Sequence, residues 1–282
     1  MIYYITIHHN TDKFINLQAS YIKKYTSSTI SDYKVYCGLS GISKCNGSEE
    51  NFTKHSFIDL TTVLNQHWFR MNYMFNKIKE NEIFDDEDIL VFMDGDAFPI
   101  DYWEPKIRKG LETHEAVSVE RREDIEPLLD EKWKPYPHPL FFATRAKFWL
   151  QNELKWGLNE SIGAQTAGNL LKKWFQEHDY SYEPLLRSNV MNIHPLFFGV
   201  YGDIVYHHGA SSGLPIVYGS CDIWTRPQLA EKYGVGVDIH VPLIPKFNGA
   251  MSDLVYQAIS QMSSFIKIFF LGKEPNETEE IK

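Results

Sequence analysis

Ile89-Leu90-Val91-Phe92-Met93, five apolar residues running straight into Asp94-Gly95-Asp96-Ala97-Phe98-Pro99, leaves this chain few ways to fold. A continuously apolar strand must be covered on both faces, and the usual cover is helices packed on a mainly parallel sheet. Ligands of such sheets bind beyond the carboxyl ends of the strands. Two carboxylates, one residue apart, stand at that edge. Adjacent anions beside a low-dielectric core repel unless a divalent metal, or Arg or Lys, neutralises them. The competing reading is a pair of solvated turn acids, because Asp-Gly is also an ordinary turn dipeptide. Gly95 is expected to let a ligand approach the backbone closely.

The surrounding pattern extends the same frame. Ile2 to Ile7 read as a strand ending in His8-His9-Asn10, Phe14 to Tyr25 as a helix, and Asp32 to Gly38 as a second strand, which makes a βαβ opening. Residues 38 to 54 read as a surface loop. Thr61 to Lys79 reads as a helix with Leu64, Trp68, Met71, Phe75 and Ile78 on one face. Further on, helices are expected at Trp103 to Glu112, Arg145 to Trp156 and Gly168 to His178, and strands at Ala116 to Glu120, Pro139 to Ala143 and Asp203 to His208. The expected class is α/β: a doubly wound, mainly parallel central sheet with flanking helices and a C-terminal helical extension. Residues 1–250 are read as one domain, and 251–282 as an amphipathic helix with a polar tail.

Composition narrows the partners. The 282 residues are 43% hydrophobic and 23% charged, which excludes disordered and disulfide-stapled classes. A formal charge of −9 repels phosphate backbones, so nucleic acid is not expected as a partner. An anionic substrate would need a cation or local basic residues. Cys37, Cys45 and Cys221 fit neither a disulfide framework nor a zinc spacing. Without a recognisable signal or an apolar run of spanning length, a cytoplasmic location is expected. Asp253 to Phe270 carries apolar residues at helical spacing, with Lys267 and Lys273 near its end. Packing on the sheet is the plain reading, and a peripheral membrane contact is the alternative.

Through ILVFMDGDAFPI, the chain resembles the nucleotide-sugar glycosyltransferases of the GT-A fold. The resemblance implies that Asp94 and Asp96 hold Mn2+ or Mg2+ on the diphosphate of a sugar nucleotide such as a UDP-sugar or GDP-sugar. It also implies that a late histidine completes the metal site. His207-His208-Gly209 matches that position and leaves the choice between the two histidines open. If the strand persists, their side chains point to opposite faces. Arg70 lies on the helix feeding the acid pair, where an arginine of glycogenin-like members reaches the donor; a guanidinium fork suits a diphosphate, and a helix-surface arginine is the alternative. Thr6, His8, Asn10 and Asp59 occupy places where the family cradles base and ribose. The aromatic and glycine-rich stretch His194 to Asp203 reads as core, with an acceptor-side wall as the alternative.

In inverting members the resemblance implies a base near the start of a helix after the acid pair. There the only acid is Glu160, with Gln165 closer to the helix; Glu120, Glu123 and Asp124 are the other contenders, and retaining chemistry without such a base stays open. The implied activity is metal-dependent transfer of a sugar to a hydroxyl of a saccharide or a lipid-linked acceptor. Two further classes are carried as alternatives. A haloacid-dehalogenase-like phosphatase also places two aspartates after an apolar strand. A non-catalytic nucleotide-sugar binding protein would keep the site without turnover.

Overall fold

A computed structural model of the chain describes residues 1–10, 12, 14–26, 32–43, 47, 49–120, 136–159, 167–188 and 199–208. The elements run β1 (Ile2–His9), α1 (Ile15–Tyr25), β2 (Tyr33–Ser40), a 3-10 turn (Glu49–Phe52), β3 (His55–Asp59), α2 (His67–Asn81), β4 (Ile89–Asp94) and β5 (Ala97–Pro99). There follow α3 (Glu104–Gly110), β6 (Ala116–Val119), β7 (His138–Arg145), α4 (Ala146–Gln151), α5 (Asn169–Glu177), β8 (Tyr182–Leu185), β9 (Gly199–Tyr201) and β10 (Val205–His207).

Seven strands form the central sheet in the order β3-β2-β1-β4-β7-β6-β8. β1 pairs in parallel with both β2 and β4, β2 with β3, and β6 with β8; β7 alone runs against its neighbours β4 and β6. The expected mainly parallel α/β sheet is therefore what forms, with one reversed strand. The alternation of β4 explains its unbroken apolarity. Ile89, Val91 and Met93 face the core shared with Ile22 of α1 and Ile107 of α3, while Leu90 and Phe92 face the core shared with Met71 and Phe75 of α2, Trp149 of α4 and Phe175 of α5. The five apolar β4 side chains, Ile89 to Met93, are fully buried, and each large one stabilises the fold by about 1.5–3 kcal/mol relative to exposure.

A second sheet of three short strands, ordered β5-β10-β9, packs beside α1. It brings the segment after the acid pair against a strand more than 100 residues later, with Ala97 opposite His207 and Phe98 opposite Tyr206. Neither β5 nor β9 is visible in the sequence pattern, because three residues are too few to show a period.

Three elements differ in detail from the expectation. β3 follows the expected 38–54 loop at a place where no element is expected; it is an edge strand whose residues are half-buried or exposed, so no apolar run marks it. α2 begins at His67 rather than Thr61, since the Asp59 carboxylate accepts the Thr61 N–H at 2.8 Å and holds a turn there. Leu64 consequently stands 54% exposed off the helix, and the buried face is Arg70, Met71, Met74, Phe75 and Ile78. α4 stops at Gln151, so Trp156 reaches the core from an irregular segment tied to Asn72. No helix among the described residues is long and apolar enough to cross a membrane. The expected extension at 251–282 lies outside the described residues.

Candidate metal and donor site

β4 delivers Asp94 to the carboxyl edge of the sheet, where the register sets it beside Ile7 of β1. The turn that follows carries Asp96, which is 5% exposed, and β5 then pairs with β10. That pairing places His207 over the turn. Its Nε2 lies 3.4 Å from Asp96 Oδ1 and 3.9 Å from Asp94 Oδ2. One ligand atom from each of Asp94, Asp96 and His207 lies within 4.8 Å of the others, a spacing that fits a single metal ion. His208 is directed elsewhere. Its ring packs on Phe14 with centroids 4.8 Å apart, and its Nδ1 is 3.1 Å from the Tyr206 hydroxyl. Strand alternation is the cause: Tyr206 and His208 share one side and His207 takes the other. Of the two histidines that the sequence leaves open, His207 is the one placed beside the acid pair.

The turn itself is tightly held. A Cβ at Gly95 would stand 2.4 Å from the Ile7 carbonyl oxygen and 2.8 Å from His8 Nδ1. Gly95 therefore admits the protein's own β1 backbone, whereas the sequence expectation gave that space to a ligand. The buried Gln18 side chain donates from Nε2 to the Asp94 carbonyl at 2.9 Å and to the Ala97 carbonyl at 2.7 Å. Its Oε1 consequently accepts, and His8 Nε2, 3.1 Å away, carries the proton. Burial pushes His8 down to about 4, so it sits as a neutral prop under the turn.

A cleft of about 440 Å³ opens above the acid pair, a size suited to a small ligand. Its floor is Asp94, Gly95, Asp96 and His207; Asn65, His67 and Arg70 form one wall with Ile7 and His9, and Tyr136, His138, Pro139 and Ala167 form the other. Arg70 is 5% exposed, and its guanidinium reaches His9 Nδ1 at 3.2 Å and the Val63 carbonyl at 3.4 Å. Its Nε has no hydrogen-bond partner, and among the described residues no carboxylate forms an ion pair with it. A buried cation facing a cleft without a counter-ion is poised for an anion. Burial and the Arg70 charge both lower His9, so its Nδ1 accepts from the guanidinium.

His67, in the first turn of α2, lies 3.1 Å from Asp94 Oδ1 but out of line for a hydrogen bond; that oxygen is buried without an aligned donor. Burial is the largest single influence and would raise the Asp94 carboxyl, but the close His67 imidazole and the His207 charge together outweigh it, so the net direction is down. On the far wall, the rings of Tyr136 and His138 are stacked at 5.5 Å.

Of the residues expected from sequence, the structure brings Asp94, Asp96, His207 and Arg70 into one cleft. Thr6 is fully buried in β1, His8 props the turn, and neither lines the cleft. Asn10 takes a left-handed conformation (φ 58°), which asparagine tolerates, with its side chain over Gly41. Asp59 is exposed on β3 and occupied by the Thr61 N–H. Glu120 is 9% exposed, and its Oε2 accepts from the Tyr182 hydroxyl at 2.6 Å. Glu123, Asp124, Glu160 and Gln165 lie outside the described residues, as do 189–198 of the aromatic stretch. Within that stretch Val200 and Tyr201 are core. His67, His9, Gln18, Tyr136 and His138 are not visible as site residues in sequence. One signal was open to reading: His67 and Arg70, spaced i, i+3, share a helix face.

No protein-family model matches the sequence, and no curated protein sequence matches it significantly. Solved structures with a similar fold include a mannosyltransferase, PcManGT from Pyrobaculum calidifontis, in complex with GDP-Man and Mn2+. It is 14% identical with a TM-score of 0.45, over 94% of this chain and 71% of that one. An active-site mutant of LgtC is 12% identical with a TM-score of 0.38, over 63% of this chain and 64% of that one, a little under two thirds of its length. A putative glucose-1-phosphate thymidylyltransferase from Bacillus anthracis is 13% identical with a TM-score of 0.40, over 71% of this chain and 89% of that one. With likenesses this distant, the functional reading rests on the residues of the site.

Proposed function

We propose that this chain is a metal-dependent glycosyltransferase of GT-A type that moves a sugar from a nucleoside diphosphate sugar to a hydroxyl of a saccharide acceptor. The observation that carries the reading is the Asp94, Asp96, His207 cluster on the floor of a cleft whose wall holds the buried Arg70 guanidinium, which forms no ion pair with a carboxylate among the described residues. Two carboxylates with one imidazole suit Mn2+, and the carboxylates alone suit Mg2+. The buried Asp94 oxygen that lacks an aligned donor fits the same assignment. A divalent ion held there would supply electrostatic stabilisation of the diphosphate leaving group as negative charge builds on its oxygen.

The protein's own groups divide the remaining work. Arg70 donates to the diphosphate from a position fixed by His9 and the Val63 carbonyl, so little ordering is needed on binding. The strand ends at His9 and Asn10 border the nucleoside, and the stacked Tyr136 and His138 rings offer a face to a sugar. Glu123 and Glu160 are proposed as carboxylates that take the acceptor proton.

The test is release of nucleoside diphosphate from a panel of UDP-sugars and GDP-sugars, with and without Mn2+. Metal-dependent release that is lost in Asp94→Asn is expected. Hydrolysis of generic phosphate esters would instead identify a phosphatase, and tight donor binding with no release would identify a binding protein.

A further inference from the structure

We infer that Gln18, in the middle of α1, is a positioning residue for the metal-binding turn, setting the separation of Asp94 and Asp96 before any ligand arrives. The inference rests on the proposed metal site. Gln18 is 2% exposed on a helix face otherwise buried through Ile15, Leu17, Ala19 and Ile22. A residue there for packing alone would be apolar. Its amide makes three bonds, none of them to its own helix: Nε2 to the Asp94 carbonyl, Nε2 to the Ala97 carbonyl, and Oε1 to His8 Nε2. The two carbonyls bracket Asp96. From the other side the His208 N–H donates to the Asp96 carbonyl at 3.0 Å. The turn is therefore clamped at Asp94 and Ala97 by α1, and at Asp96 by His208, the residue that follows β10. Both clamps act through the backbone. Outer partners that orient metal ligands commonly change affinity by roughly 10–100-fold when removed.

The experiment titrates Mn2+ alone into the full chain, read by the electron paramagnetic resonance signal of free Mn2+, alongside thermal melting. Gln18→Met keeps the length and removes all three bonds. Gln18→Asn keeps an amide one methylene too short to span both carbonyls, and serves if the Met variant does not fold. Thr144→Val is the control: it deletes another buried side-chain bond, from Thr144 Oγ1 to the Glu115 carbonyl at 2.7 Å, outside the cleft lining.

All three variants should melt lower. Only the Gln18 variants should raise the half-saturating Mn2+ concentration, by roughly tenfold or more, at a temperature where each is folded. A folded Gln18 variant with wild-type Mn2+ affinity overturns the inference, as does a Thr144→Val variant with the same loss. Failure of the wild type to bind Mn2+ would be a different result, since it removes the metal site itself.

Discussion

Adding one methyl group to Gly95 perturbs the acid pair through its backbone alone. In Gly95→Ala the new Cβ would lie 2.4 Å from the Ile7 carbonyl oxygen, whereas even a close carbon–oxygen contact is about 3.3 Å. Ile7 cannot retreat, because β1 is paired on both sides, with β2 and with β4. The turn must therefore move by about 0.9 Å to regain that ordinary contact. Overpacking of this kind costs about 1–3 kcal/mol. At about 2–4 °C per kcal/mol for a domain of this size, melting should fall by roughly 2–12 °C. Metal ligation tolerates distance errors of about 0.2 Å, so a shift of that size should also weaken Mn2+ binding severalfold or more. Differential scanning fluorimetry with a Mn2+ titration measures both effects. A variant with wild-type melting and wild-type Mn2+ affinity would refute the claim that Gly95 is required by the approach of β1.

Two further outcomes follow from placement. His207→Ala should raise the Mn2+ concentration for half-maximal donor turnover severalfold or more, while His208→Ala should lower melting through the lost Phe14 and Tyr206 contacts and leave that concentration unchanged. The reverse pattern would move the metal ligand to His208. Arg70→Met should weaken nucleoside diphosphate binding by roughly tenfold or more, in line with the loss of a charge-assisted hydrogen bond worth about 1.5–3 kcal/mol. It should leave Mn2+ binding in the absence of nucleotide intact, and equilibrium titrations of each ligand alone separate the two.

The central frame is legible in the sequence where burial is complete. β4 announces itself because both of its faces are covered, and the acids that end it mark the ligand edge. β1, α1, β2 and α5 carry their own periods. What is not legible depends on long-range pairing. β5 and β9 are strands only because β10 lies between them, and that same pairing is what seats His207 over Asp96. The separate directions of His207 and His208 need only alternation, yet which face meets the acids is fixed by the register with Ala97 and Phe98. Gln18 was hidden for a related reason. A single polar residue on an apolar helix face carries no sign of the two carbonyls, 76 and 79 residues away, that it will meet. Arg70 is readable as a helix residue, but its burial in the cleft wall beside His9 and the Val63 carbonyl depends on contacts with β1 and with the segment before α2 that no local pattern shows.

Calorimetric titration of GDP and of UDP into the wild type and into Asp96→Asn, each with and without Mn2+, tests the account at its centre. The substitution keeps the shape of a side chain that is 5% exposed and removes its charge. The expected result is binding of at least one nucleotide to the wild type that requires Mn2+, and loss of that requirement together with most of the affinity in Asp96→Asn, at a comparable melting temperature. Equal affinity in the two proteins, or wild-type binding indifferent to Mn2+, would contradict the assignment of the acid pair to a metal-bound diphosphate.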